Sequence, residues 1–130
     1  MKYRLLDLLA CPIDKHFPLE LIVLEEAKPR EEKAQNKPVC EKYCGLHGKN
    51  VEEFDPTDLA KECKRCLSKE IVKGVLRCPE CGRWFPIIDE IPHMLPDELR
   101  DSKEDVAFLR ENQDRLPDEI KLRGKPFNLA

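Results

Sequence analysis

The sequence predicts an α+β fold, with a short N-terminal helix, a small antiparallel sheet and helices toward the C-terminus. Three observations lead there. Residues 19–24 (LELIVL), 71–77 (IVKGVLR) and 84–88 (WFPII) are short apolar, partly β-branched runs of strand length. Residues 3–9 set Leu5, Leu6 and Leu9 on one helical face, and a second helical pattern starts at Ser102. Six of the seven cysteines fall in close pairs, Cys40/Cys44, Cys63/Cys66 and Cys78/Cys81, with Cys11 alone. A tight turn at such spacing points both sulfurs and nearby amides at one ion, so the sheet is expected to be zinc-ribbon-like.

Composition narrows the classes. With 130 residues, 41% hydrophobic and 38% charged, the chain has room for one modest domain with an appended subdomain and a densely charged exterior. No run is long enough to span a bilayer. The opening MKYRLLDLLAC is basic then apolar, but Asp7 interrupts a stretch already too short for a secretory signal, and a cytoplasmic protein is expected. In that compartment seven cysteines point to metal rather than to a disulfide framework. A net charge of −3, with no basic block beyond KECKRC, disfavours autonomous nucleic-acid binding, because phosphate neutralisation supplies most of that affinity.

Taken in order, the amphipathic stretch 3–9 runs into Cys11, a turn at 12–18 follows, and 19–24 is a strand. Residues 27–38 (AKPREEKAQNKP) have almost nothing to bury and read as a linker. A cysteine-bearing insert occupies 39–68; within it Asp55 is placed to cap a helix whose first residue is Pro56. A strand at 71–77, a turn at 78–82, a strand at 84–88, a turn at Asp89 and Glu90 and an extended segment at 91–95 come next. Ser102 is expected to cap a helix with Val106 and Leu109 inward, Pro117 to restart a short turn, and 124–130 to be extended. Pro86 and Pro92 each lack an amide donor, so the strands carrying them are expected at sheet edges or against a partner.

The cysteines allow two partitions. One makes a ribbon of Cys63, Cys66, Cys78 and Cys81 and leaves Cys40 and Cys44 over. The other puts Cys40, Cys44, Cys63 and Cys66 in an insert site and Cys11 with Cys78 and Cys81 in a second site, which then needs one more ligand. Asp14 stands where a CxxC would place its second cysteine, and His16 lies two residues further on. Imidazole is the commoner structural zinc ligand, which favours His16. For the insert cysteines a pair of disulfides is the rival reading. His47 sits close enough to Cys44 to replace one thiolate, and His93 lies in an apolar run.

No catalytic constellation is visible. HExxH, HxE with PCxxC, GxGxxG, GxxxxGK and a serine-nucleophile motif are all missing, and the one CxxC between strands lacks the βαβ setting of a redox pair. The run Trp84, Phe85, Ile87, Ile88, Ile91, Met94 and Leu95, added to the Leu5/Leu6/Leu9 face, is more apolar surface than a ribbon hides, and a remainder is expected to dock a protein by strand addition.

The LLAC ending at Cys11, the FPLEL strand at 17–21 and GVLRCPECGRWFPIIDEIPHMLPDEL at 74–99 together resemble the small zinc-binding activator subunit shared by several S-adenosylmethionine-dependent methyltransferases, enzymes acting on tRNA, rRNA and a translation release factor. The resemblance covers 1–24 and 71–99 but not the insert. It implies a zinc-ribbon-like domain built from both chain ends (1–26 and 71–99), an insert lobe at 27–70 and a polar helical extension at 100–130. It implies a noncatalytic subunit that heterodimerises with the methyltransferase, the partner alone binding S-adenosylmethionine and any RNA, with no membrane association. Zinc would be held by Cys11, Cys78 and Cys81 with His16 in the fourth position, where family members usually carry cysteine. The strand meeting the enzyme would map to Ile88, Ile91, Pro92, His93, Met94 and Leu95. The competing expectation is a zinc-ribbon adaptor of the transcription or translation machinery that touches nucleic acid through Lys61, Lys64, Arg65, Lys69, Lys73 and Arg77.

Overall fold

The computed structural model describes residues 1–27 and 39–130, so the linker expected at 27–38 lies, apart from Ala27, outside the described residues. In chain order the chain forms a 3-10 turn at Tyr3–Asp7, strand β1 (Glu20–Ala27), the short strands β2 (Tyr43–Cys44) and β3 (Lys49–Asn50), helix α1 (Pro56–Leu67), strands β4 (Glu70–Arg77), β5 (Trp84–Ile88) and β6 (Ile91–Pro92), and helices α2 (Ser102–Glu111) and α3 (Asp118–Lys121). The main sheet is antiparallel with strand order β1-β4-β5-β6, and β2 pairs with β3 separately. The architecture is α+β, as the sequence pattern predicts.

Helix ends follow their capping residues. Asp55 accepts from the Thr57 N–H at 2.8 Å, with Pro56 in the first turn where its missing donor is harmless. At α2 the cap is Asp101, which accepts from the N–H groups of Lys103 and Glu104 at 2.9 and 3.2 Å; Ser102, the expected cap, is the first helical residue. Phe108 and Leu109 are the inward apolar residues of α2, while Val106 is only half-buried. The N-terminal helix shrinks to a 3-10 turn that buries Tyr3 and Leu6 and leaves Leu8 exposed.

Alternation along β4 and β5 gives the sheet two buried faces. Leu76, Phe85 and Ile87 join Met1, Tyr3, Leu6, Leu19, Ile71 and Cys66 in one cluster; Val75 and Trp84 join Leu24, Phe108, Leu109, Leu116 and Ile120 in the other. The C-terminal extension thus roofs the second face. Its tail runs beside the start of β5, where the Trp84 N–H donates to the Lys125 carbonyl at 3.1 Å and the indole N–H to the Phe127 carbonyl at 2.9 Å.

The proline expectation needs correcting for β5, which is an internal strand, paired to β4 on one side and β6 on the other. The Pro86 carbonyl accepts from the His93 N–H at 2.8 Å, so its backbone polar edge, including the missing donor, faces β6 and leaves the β4 ladder intact. Pro92 does lie on the edge strand.

Two buried charged groups tie layers together. Arg100 donates from Nη1 to the Trp84 carbonyl at 2.6 Å and from Nε to Asp105 Oδ2 at 2.8 Å, with its guanidinium 4.7 Å from the Trp84 ring. Asp7 accepts from the backbone N–H groups of Glu41, Lys42 and Tyr43 at 3.0, 2.7 and 2.8 Å, fastening the N-terminal turn to the insert. Burial pushes the Asp7 carboxyl up, and those three donors reverse the shift and hold it below the usual carboxylate value.

Replacing Asp105 with Ala strands the Arg100 charge, and urea denaturation should show a loss of about 3–5 kcal/mol. Because the folded pKa of Asp7 is depressed, its contribution is present above the unfolded value near pH 4 and is lost as pH falls through the lower folded value. Denaturation midpoints of the wild type and Asp7→Asn should differ at pH 7 and converge below about pH 3.

Candidate functional site

Two stretches of the chain fold into the same turn. In CPIDKH the Cys11 N–H donates to the His16 carbonyl at 2.9 Å, and the Lys15 N–H donates to the Cys11 carbonyl at 2.9 Å. In CPECGR the Cys78 N–H donates to the Arg83 carbonyl at 2.8 Å, and the Gly82 N–H donates to the Cys78 carbonyl at 3.0 Å. The fifth residue of each turn is left-handed, Lys15 at φ 66° and Gly82 at φ 78°.

The first and fourth side chains of both turns converge. Cys11, Asp14, Cys78 and Cys81 each offer a ligand atom, and all four lie within 4.8 Å of one another. The Cys11 and Cys81 sulfurs are 3.7 Å apart, and Cys78 Sγ is 3.5 Å from both Asp14 carboxylate oxygens. A tetrahedron with Zn–S near 2.3 Å and Zn–O near 2.0–2.2 Å has sulfur–sulfur edges of about 3.8 Å and sulfur–oxygen edges of about 3.5–3.7 Å. The donor set therefore fits one zinc ion, closed by four protein ligands as structural sites are. A zinc ion there would cross-link the two turns.

The electrostatics match that use. Burial raises the Cys11 and Cys78 thiols, Cys78 to about 12, while backbone N–H groups of Ile13, Asp14, Glu80 and Cys81 work against the rise. Cys81 is half-buried, and although burial pushes its thiol up, the backbone N–H and guanidinium of Arg83 bring it below the ordinary value. Asp14 is kept low first by the His16 N–H, which donates to it at 3.0 Å. Amides directed at the ligand atoms stabilise the deprotonated forms that a cation requires.

His16, the expected fourth ligand, contributes its backbone to the turn, whereas Asp14 is the residue the fold brings to the cluster. The reason is positional: the fourth residue of this turn faces the centre, and the sixth already leaves toward the strand. The internal echo between CPIDKH and CPECGR is the signal that selects Asp14. Arg83 was missed by the sequence reading altogether; besides steering Cys81 it forks onto Asp97 at 2.9 and 2.8 Å.

The insert cysteines Cys40, Cys44, Cys63 and Cys66 are buried and free. As a group their sulfurs do not close to the distance seen at the first centre, which is the one such cluster among the described residues. The His47 Nε2–H donates to Glu62 Oε2 at 2.8 Å, and its ring lies 5.6 Å from that of Phe54.

The sheet ends at β6. Ile88, Ile91, His93 and Leu95 are exposed, Ile91 at 60%, while Pro92 and Met94 are half-buried and Met94 packs on the first core cluster. Since the His93 N–H points inward at Pro86, alternation turns the backbone of Pro92 and Met94 toward the open edge.

A family model described as Trm112p-like protein matches residues 2–90. The chain is a member of the Trm112p-like family. Over 43 residues this Trm112p-like chain is 46% identical to the multifunctional methyltransferase subunit TRM112-like protein of Mus musculus, a stretch of 33% of the chain and 34% of that relative; the match thus spans about a third of the relative's length. It is also similar, at 19% identity and a TM-score of 0.47, to a chain in the E. cuniculi Mtq2-Trm112 complex, described as acting in methylation of the eRF1 translation termination factor; the match covers 73% of this chain and 95% of that one.

Asp14→Ala should lower zinc affinity, read by competition with a chromophoric chelator, by at least about tenfold, whereas His16→Ala should leave it within about twofold.

Proposed function

We propose that this Trm112p-like chain is a noncatalytic subunit that heterodimerises with S-adenosylmethionine-dependent methyltransferases acting on tRNA, rRNA or translation release factor, and keeps them folded and active. The observation that carries the reading is an open apolar sheet edge, β6, in a member of this family. Ile88, Ile91, Pro92, His93, Met94 and Leu95 are the proposed contact residues, and the partner adds a strand there by main-chain hydrogen bonds with the isoleucines and Leu95 filling its pockets. A partner that binds only the folded enzyme stabilises it by about 2.7 kcal/mol at a hundredfold excess over the dissociation constant. Zinc at Cys11, Asp14, Cys78 and Cys81 holds the strands that present this edge; S-adenosylmethionine and RNA are the partner's ligands. The proposed compartment is the cytoplasm, and among the described residues no helix is long and apolar enough to cross a membrane. The domain division at 1–26 with 71–99, 27–70 and 100–130 is part of the same proposal.

The direct nucleic-acid reading has less to stand on. Of the six basic residues expected to form its face, Arg65, Lys69, Lys73 and Arg77 pair with Glu62, Glu26, Glu111 and Glu20 at 3.4, 3.5, 3.9 and 2.9 Å. Charges already paired add little phosphate attraction.

Affinity purification of the tagged chain from its native cells at high salt should recover one or more methyltransferases in stoichiometric amount, with activity that falls when the subunit is removed. Recovery of RNA polymerase or ribosomal proteins instead would overturn the proposal. Ile91→Asp should cut methyltransferase recovery at least tenfold while leaving the circular dichroism spectrum unchanged, because Ile91 is exposed in the free chain.

A further inference from the structure

We infer that the insert holds a second structural zinc site, closed by the thiolates of Cys40, Cys44, Cys63 and Cys66. Between residues 39 and 70 five residues are buried; four of them are these cysteines, and the fifth is Leu59. One buried aliphatic side chain cannot order so long a segment, and small apolar-poor lobes of this kind rely on a covalent or metal staple. The cysteines are free, which leaves all four sulfurs available to a metal.

Their placement is that of a two-part finger. The Cys44 turn repeats the backbone of the first centre: the Gly48 N–H donates to the Cys44 carbonyl at 2.8 Å, Gly48 is left-handed at φ 64°, and Cys44 pairs with Lys49. Cys63 and Cys66 stand three apart on α1, so they share the face that also buries Leu59. The Val39 N–H donates to Cys63 Sγ at 3.4 Å, an amide-to-sulfur bond of the kind that supports a thiolate ligand.

Buried thiolates require a cation beside them, and zinc, which prefers four tetrahedral sulfurs, is the class of ion that suits this set of four buried cysteines. Because the sulfurs are more widely set than at the first centre, binding draws them together, with the thiol protons released to solvent. In the Cys44 turn the fourth position belongs to His47, but its ring is engaged by Glu62 at 2.8 Å and by Phe54, which assigns the remaining ligand to Cys40.

This site stands apart from the activator reading, and its test does not depend on a methyltransferase. The full chain, expressed with zinc and purified anaerobically under mild reductant, should contain two zinc ions per chain by mass spectrometric metal analysis. Cys63→Ser/Cys66→Ser and Cys78→Ser/Cys81→Ser should each contain one, and His47→Ala should keep two. One zinc in the wild type, two in Cys63→Ser/Cys66→Ser, or insert disulfides in the non-reduced intact mass would overturn the inference. Should a serine variant fail to fold, cobalt(II) titration of the zinc-free wild type decides: thiolate-to-cobalt absorption that saturates at two equivalents supports the site, and saturation at one overturns it.

Discussion

The approach of the Cys11 and Cys81 sulfurs to 3.7 Å, across 70 positions of sequence, is the interaction on which the other parts depend. It joins a turn that precedes β1 to a turn that joins β4 and β5. Once those turns meet, Glu20 falls opposite Arg77 and Leu76 opposite Phe85, and the register of the sheet follows. Closing so long a loop costs chain entropy that grows only slowly with its length, so an insert of this size adds little to the cost of the junction.

A sheet registered in this way exposes two apolar faces, and each is covered by a different end of the chain. The N-terminal turn brings Met1, Tyr3 and Leu6 to one face, and the Asp7 carboxylate extends that cover to the insert through three backbone amides. The C-terminal helices bring Phe108, Leu109 and Ile120 to the other, with Arg100 stitched between Trp84 and Asp105 and the Arg115 guanidinium bonded to the Leu24 carbonyl. With both faces closed, Ile88, Ile91 and Leu95 remain exposed at the β6 end of the sheet, and Leu8, Ile13, Phe17, Leu99 and Leu122 remain exposed elsewhere among the described residues. The edge lies close in the chain to the Cys11/Asp14/Cys78/Cys81 cluster: β5, which carries the β6 hairpin, begins two residues after Gly82 of the second turn.

Much was legible before any tertiary contact was known. Strand runs at 19–24, 71–77 and 84–88, the Asp55–Pro56 helix start and the turn at Asp89 and Glu90 depend on local periodicity and on residues with narrow backbone preferences, which a sequence displays directly. So does the Cys78/Cys81 turn, since a CxxC sets its geometry within four residues, whereas Cys63 and Cys66, with the same spacing, lie on α1. The charge placed on Lys69, Lys73 and Arg77 was visible as well, but their neutralisation by Glu26, Glu111 and Glu20 was not, because two of those partners lie on a strand far away in sequence and one on a helix.

What the sequence alone determined is the three longer strands, the start of α1 and the Cys78–Cys81 turn, because each rests on interactions among near neighbours. The tertiary structure decided how those pieces meet. It placed Asp14 rather than His16 at the centre, since only the superposed turns reveal which position faces inward. It made β5 an internal strand despite Pro86, since the direction of a missing N–H is set by the neighbour it faces. It turned a polar C-terminal stretch into the roof of a core through Phe108, Leu109 and Ile120, since which side of a helix is buried depends on the surface it meets.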